Sequence, residues 1–110
     1  MKLSVGIITF NEERIIAKTI DAVKNIAGEI VIIDSNSTDK TVEIAKSKGA
    51  KVITQSWLGY GKQKNFMIDN CSGEWILSID ADEIISQELA NEISEEIKKG
   101  DEVTFELKKE

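Results

Sequence analysis

Residues 74–83 read EWILSIDADE, an apolar segment that leads into two aspartates one residue apart. Side chains alternate across an extended backbone, so Asp80 and Asp82 point the same way if the strand persists. If the chain turns after Ile79, both carboxylates still lie at the tip of the strand. Two like charges this close repel each other unless a cation lies between them. This stretch therefore predicts a divalent metal that carries phosphate oxygens.

The composition bounds the classes of protein to which the chain can belong. It has 110 residues, 41% of them apolar, which suits one small soluble domain. The net charge of −6 argues against a nucleic-acid surface, and the absence of histidine removes His-based triads and most zinc sites. Cys71 is the only cysteine, and no apolar run approaches the ~20 residues of a membrane span. With no signal peptide evident at residues 1–5, we expect a cytoplasmic location.

Apolar, β-branched segments alternate with segments of helical periodicity along the chain. Strands are predicted at residues 3–9, 29–34, 51–54 and 75–79. Helices are predicted from a cap at Asn11 to near Gly28, over 38–48, over 62–71, and from a cap at Ser86 to Gly100. Residues 55–61 are predicted to form a loop. Residues 101–107 alternate and predict a last strand with one wet face.

This order predicts an α/β fold in a single domain over residues 1–110. Strands that alternate with helices form a mainly parallel sheet with right-handed βαβ crossovers, giving a three-layer, Rossmann-like sandwich. Ligands in such sheets gather at the carboxyl ends of the strands. Thr9, Asn11, Asp34 and Asp80 all fall at such ends, so we expect them to converge on one site.

Each of these acids also has a purely structural interpretation. Asp80 and Asp82 could form a solvated strand end, although the buried strand before them favours the metal. Asp34 could accept hydrogen bonds from the turn amides that follow it, or from a ring N–H or ribose hydroxyl of a ligand; local features favour the two equally. Glu83 could join the metal or cap the following helix, and Asp39 is expected to be a first-turn helix acid.

Residues 57–71 hold the remaining candidates. Lys62 and Lys64 do not share a helix face, so at most one of them points into the site, and Lys64 could balance the carboxylates. Trp57 and Tyr60 could stack on a ligand, but aromatic side chains in a loop more often cover the edge of the core. Cys71 is expected to be structural, since no basic neighbour would activate it.

Four segments in order resemble the inverting family 2 glycosyltransferases of the GT-A fold. They are ITFNEE at 8–13, DSNSTDKT at 34–41, WLGYGKQKN at 57–65 and DADE at 80–83. Their sequences are most similar to those of bacterial enzymes that add β-linked glucose to the lipooligosaccharide core. The family's first motif commonly holds a proline that this sequence lacks, and Lys64 stands where arginine is usual, which loses a bidentate fork.

The resemblance implies a role for each matching position. Thr9, Asn11 and Glu12 would line the nucleotide pocket, and Asp34 would contact the uracil ring. Lys64 would steady the base-binding acid and the metal-site loop. The last pair divides its roles: Asp80 would contact ribose or the metal, and Asp82 would bind Mg²⁺ or Mn²⁺ bridging the diphosphate.

Family members continue well past residue 110, so we expect the chain to be truncated at its C-terminal end. The general base would lie beyond Glu110, and the chain alone would bind a UDP-sugar, UDP-glucose in particular, without transferring it to a saccharide or lipid-linked acceptor. Such a protein would work at the inner face of the membrane. The alternatives are a non-catalytic nucleotide-binding or interaction module and a receiver-type signalling domain, though Thr54 stands where a receiver needs a phosphoacceptor acid. A D-x-D-x-T phosphatase would need its aspartates where Thr9 and Asn11 stand.

Overall fold

A computed structural model describes residues 2–99, in which four strands alternate with four helices. In chain order they are β1 (Leu3–Thr9), α1 (Ile16–Val23), β2 (Glu29–Asp34), α2 (Thr41–Ser47), β3 (Lys51–Thr54), α3 (Tyr60–Asp69), β4 (Trp75–Asp80) and α4 (Gln87–Lys99). The predicted stop at Gly100 and the predicted strand at 101–107 lie outside the described residues.

The four strands form one parallel sheet in the order β3-β2-β1-β4, which confirms the predicted fold class. In its register Thr9 pairs with Asp34, and Ile8 pairs with Asp80. The carboxyl ends of β1, β2 and β4 therefore meet at one edge of the sheet. The predicted convergence of polar residues at strand ends follows from this register.

Helices cover both faces of the sheet, as the buried character of β1 and β2 requires. On one face, side chains such as Val5, Ile7 and Ile32 pack with α1 and α4 in the larger core cluster. On the other face, Val31 and Ile33 pack against Met67 of α3. Alternate residues of β2 thus enter different layers, which gives the predicted three-layer sandwich.

The contact between β1 and α3 depends on a glycine. A Cβ placed on Gly6 would lie 1.9 Å from Met67 Sδ, and Met67 is fully buried. The helix can approach β1 this closely only because position 6 carries no side chain.

Helix boundaries differ from the prediction in α1, α2 and α3. The structure starts α1 at Ile16 rather than next to Asn11, and ends it at Val23, well before Gly28. Helix α2 begins at Thr41, and α3 begins at Tyr60 inside the segment predicted as loop. The Ser86 cap of α4 is confirmed, since its hydroxyl accepts a hydrogen bond from the Leu89 N–H at 3.1 Å.

A carboxylate at the amino edge of the sheet makes stability depend on pH. The Ser4 hydroxyl and, next, the Ser72 N–H donate to Glu29 and lower its pKa below the usual 4.5. A depressed pKa adds stability above the unfolded-state value and loses it as pH falls through the folded-state value. We expect the free energy of unfolding of the wild type to exceed that of Glu29→Gln near pH 7 and the difference to shrink toward about pH 3.5. Urea denaturation at both pH values measures this, and a difference independent of pH would contradict it.

Candidate functional site

A cavity of about 250 Å³ opens at the carboxyl edge of the sheet, between the ends of β1 and β4. It is lined by Ile8, Thr9, Phe10, Glu12, Trp57, Tyr60, Asp80, Ala81 and Asp82. Three of the four segments singled out in the sequence thus contribute to one concave surface. Such a place in an open parallel sheet is where ligands bind.

The turn after β4 holds the two aspartates in place. Glu83 Oε1 accepts the Asp80 N–H at 2.7 Å, and the Glu83 N–H donates to the Asp80 carbonyl at 3.0 Å. From the neighbouring α1, the buried Thr19 hydroxyl donates to the Ala81 carbonyl. Glu83 therefore closes this turn and does not cap α4. Thr19 was missed in the sequence, where it reads as one more position on the buried face of a helix.

Asp80 and Asp82 differ in their surroundings. Asp80 is half-buried in the cavity wall, and its Oδ1 accepts the Tyr60 hydroxyl at 3.3 Å. Asp82 is exposed at the tip of the turn and lines the same cavity. The turn thus presents one anchored and one outward carboxylate to whatever occupies the cavity.

The chemistry of these donors fits a hard divalent cation that also binds phosphate. No group of three or more His, Cys, Asp or Glu side chains within residues 2–99 is placed to enclose a metal. Mg²⁺ and similar ions are often held by only one or two carboxylates, with substrate phosphates completing the shell. Asp80 and Asp82 match that pattern and would need a phosphate-bearing ligand to complete it.

Two aromatic residues share the cavity wall with the acids. Trp57 is 57% exposed and Tyr60 is 56% exposed, and both line the cavity. The expectation that they cover the edge of the core is wrong. Because α3 begins at Tyr60, both rings are carried to the carboxyl edge of the sheet, away from the core clusters. Exposed rings beside a polar cavity can stack on a flat ligand ring.

Asp34 is held by the protein itself. It is 1% exposed, and its carboxylate accepts the Thr9 hydroxyl at 2.7 Å, the Ser37 N–H at 2.8 Å and the Ser37 hydroxyl at 2.6 Å. The structure thus shows the turn contacts that one of the two interpretations predicted. Asp34 is not part of the cavity wall, although Thr9, which donates to it, is.

Asn11 latches two loops together instead of capping α1, so the predicted cap is wrong. Its φ of 51° is left-handed, and its Oδ1 accepts the Thr38 N–H at 2.8 Å. Its own N–H donates to the Ser37 hydroxyl at 2.8 Å, and the Glu12 N–H donates to the Thr41 hydroxyl at 2.7 Å. The β1–α1 loop is therefore bound to the β2–α2 loop, which sets the position of Glu12 in the cavity wall.

Asp39 belongs to the same contact between loops. Desolvation acts to raise its pKa, but hydrogen bonds from the Thr41 hydroxyl, the Thr41 N–H and the Glu13 N–H lower the pKa overall. Asp39 lies two residues before α2, so the prediction of a first-turn helix acid is wrong; Glu43 holds that place, and Asp39 instead accepts the Thr41 N–H ahead of the helix.

Helix α3 carries the predicted lysines, but a different side chain faces inward. Lys62 is exposed and Lys64 is half-buried, and neither is part of the cavity wall. Gln63 between them is fully buried, and its side chain bonds three residues in two other segments. Cys71 just after α3 is half-buried, and burial raises the pKa of its thiol, which suits the predicted structural role. None of the helices within residues 2–99 is long and apolar enough to cross a membrane.

Comparison with known proteins gives one family and several relatives. The sequence profile of glycosyl transferase family 2 matches residues 4–106. An uncharacterized glycosyltransferase of Rickettsia typhi is 55% identical over 92 residues, covering 84% of this chain and 32% of that protein. The lipopolysaccharide core biosynthesis glycosyltransferase LpsC of Rhizobium meliloti is 36% identical over 108 residues, covering 94% and 40%. The chain thus spans about a third of the length of the first of these relatives.

Among solved structures, glucosyl-3-phosphoglycerate synthase from Mycobacterium tuberculosis superposes with a TM-score of 0.67 at 28% identity. The match covers 76% of this chain and 34% of that one. Crystals of that enzyme hold Mn²⁺ with UDP and glucosyl-3-phosphoglycerate, Mn²⁺ with UDP-glucose, or Mg²⁺ with UDP.

Proposed function

This chain belongs to glycosyl transferase family 2, and from that membership we propose that it is the part of a glycosyltransferase that binds a UDP-sugar with a divalent metal. The family resemblance seen in the motifs is confirmed, and the fold is that of the GT-A neighbours. The observation that carries the proposal is the cavity that Asp80 and Asp82 line together with two exposed aromatic rings. It pairs a place for a metal-bound diphosphate with a place for a flat ring.

Each site residue has a proposed role. Asp82 is the metal ligand, and Asp80 supports the metal or accepts a ribose hydroxyl. Thr9 and Glu12 line the nucleotide pocket directly, as their places in the cavity wall allow. Asp34 is proposed to contact the uracil ring, which requires its Ser37 contacts to open when the nucleotide binds.

Asn11 and Lys64 do not line the cavity, and we propose that they support the nucleotide pocket indirectly. Asn11 shapes it through the latch between the β1–α1 and β2–α2 loops. Lys64 lies half-buried in α3 next to Gln63, and its proposed role is to steady Asp34 and the loop that carries Asp80 and Asp82.

The proposed reaction is an inverting transfer of the sugar to an acceptor hydroxyl. When bound, the metal supplies a positive charge that stabilises the leaving diphosphate. This chain orients the donor, and the aromatic wall excludes water from one side of it. We assign the general base and the acceptor pocket to the part of the longer relatives that this chain does not cover, so the 110 residues alone bind the donor without transfer.

Glucose is the proposed donor sugar, and the proposed acceptor is a saccharide of a lipooligosaccharide core. The named role of LpsC supports the acceptor, and the UDP-glucose held by the mycobacterial synthase supports the donor. An acceptor anchored in a lipid would place the full protein at the cytoplasmic face of the membrane.

Calorimetric titration of the chain with UDP tests the proposal. We expect binding in the presence of Mn²⁺, its loss on addition of EDTA, and its return when Mn²⁺ is restored. ADP serves as the control, because a pocket that contacts uracil should bind it more weakly. Failure to bind UDP in Mn²⁺ would overturn the proposal that this chain binds the donor. Binding that EDTA does not affect would overturn the proposal that a metal takes part.

A further inference from the structure

Gln63 is a long polar side chain with 0% exposure in the middle of α3. Its Oε1 accepts the Leu58 N–H at 3.1 Å. Its Nε2 donates to the Ser35 hydroxyl at 2.9 Å and to the Gln55 carbonyl at 3.1 Å. One carboxamide therefore connects α3 to the β2–α2 loop and to both ends of the segment 55–58.

The segment tied in this way carries Trp57 to the cavity. It leaves the sheet where the Gln55 N–H donates to the Asp34 carbonyl at 2.9 Å, and it turns into α3 at Gly59, whose φ is 95°. A further tie joins Asn36 Nδ2 to the Ser56 hydroxyl at 3.2 Å, but both residues are exposed. The Gln63 bonds are partly buried, and shielding from water strengthens a hydrogen bond, so the Gln63 carboxamide is the firmer of these side-chain restraints.

We propose that Gln63 is a positioning residue for the donor site: it fixes the segment 55–59 so that the Trp57 ring forms a preformed wall against the ring of the bound nucleotide sugar. This inference rests on the proposed function, and it adds a residue to which that function assigned no role. Gln63 does not line the cavity, so it acts through Trp57 rather than by touching the donor.

The physical basis is the cost of ordering a loop on binding. If Trp57 were free to sample many positions, part of the binding free energy would be spent on fixing it. A carboxamide that satisfies the Leu58 N–H and the Gln55 carbonyl removes that cost in advance. A methionine of similar length would fill the same space but offers no donor and only a weak acceptor, which separates the polar role of Gln63 from its volume.

The first measurement needs no ligand. Hydrogen exchange of the Leu58 amide, followed by NMR, is expected to be roughly tenfold faster in Gln63→Met than in the wild type, because this amide loses its acceptor. Ile20→Val is the matched control, since it loosens the core on the other face of the sheet without touching segment 55–59. Unchanged Leu58 exchange in Gln63→Met, or an equal increase in the control, would overturn the proposal.

The second measurement is a double-mutant cycle on UDP affinity in Mn²⁺. Trp57→Ala should weaken UDP binding about tenfold, as expected for loss of a stacking ring. Gln63→Met should weaken it roughly threefold to tenfold when Trp57 is present and leave it unchanged in the Trp57→Ala background. Equal losses in both backgrounds would mean that Gln63 does not act through Trp57, and would overturn the proposal.

Two further outcomes remain decisive. If Gln63→Met does not fold, Ser35→Ala replaces it, because this change removes one Nε2 acceptor at a half-buried position; a smaller rise in Leu58 exchange then supports the proposal, and none opposes it. If the wild type fails to bind UDP in Mn²⁺, the proposed function fails, and with it the role of Gln63 in donor binding. The exchange of Leu58 still shows whether Gln63 holds the segment.

Discussion

Asp82→Ala is expected to weaken the binding of UDP in the presence of Mn²⁺ by about 100-fold or more. Asp82 is the exposed carboxylate of the turn after β4, whereas Asp80 already accepts a hydrogen bond from Tyr60. In the proposed site, loss of Asp82 would leave Asp80 as the one protein carboxylate to hold the metal and the diphosphate that it carries. Because Asp82 is exposed, the fold should be retained. Calorimetry with UDP at saturating Mn²⁺ measures the loss.

The control for this experiment is Asp69→Ala, which removes the same charge from the other end of α3. It should leave UDP affinity unchanged, because Asp69 lies away from the cavity. If the loss in Asp82→Ala came from net charge alone, Asp69→Ala would show the same loss. In EDTA the wild type and Asp82→Ala should bind UDP equally weakly. If the affinity of Asp82→Ala still rose with Mn²⁺ as much as that of the wild type, the metal would be held by other groups and the assignment would be wrong.

Gly6→Val is expected to lower the free energy of unfolding by about 3 kcal/mol. The first added carbon alone would lie 1.9 Å from Met67 Sδ, so α3 must move away from β1 or Met67 must leave its buried position. For a domain of this size the melting temperature should fall by roughly 10–20 °C. Thermal and urea denaturation followed by circular dichroism measure both quantities.

Gly61→Val supplies the matched control, because a Cβ on Gly61 meets no atom within 4 Å. Its stability should stay within about 0.5 kcal/mol of the wild type. The clash also predicts a compensating pair: Met67→Ala alone should destabilise, but it should cost less, or even restore stability, in the Gly6→Val background. If the losses in free energy of unfolding of the two variants simply added in the double variant, the side chain at position 6 would not be clashing with Met67.

The strands could be predicted from the sequence because each is a short, largely apolar segment, and alternate side chains of β2 enter both core clusters. Helix starts were less predictable, and Asn11 shows why. The same side chain that caps a helix can also accept hydrogen bonds from a neighbouring loop, and asparagine tolerates the left-handed backbone that Asn11 adopts here. The hydrogen-bond partner decides which of the two roles the side chain has. Here that partner is Thr38, in another part of the chain.

The acidic part of the site was predictable, whereas its supports were not. Asp80 and Asp82 end an apolar strand, and this pattern is visible in the sequence. Gln63 stands between two lysines in a segment of low hydrophobicity, so nothing local indicates that it is fully buried. Its burial depends on the loop 55–58 folding over it, which is a tertiary contact that periodicity does not report.

The sheet order also determines when the site can form during folding. Strand β1 lies between β2 and β4, and Leu3 must pair with Trp75 across three intervening βα units. Pairing between distant parts of a chain is slow, because the entropy of closing the loop is lost before the contacts form. A nascent chain that ends after β3 can assemble the β3-β2-β1 half but has no acidic wall. In the proposed function, binding of the metal and nucleotide requires a docked β4, so a bound donor would stabilise the docked state.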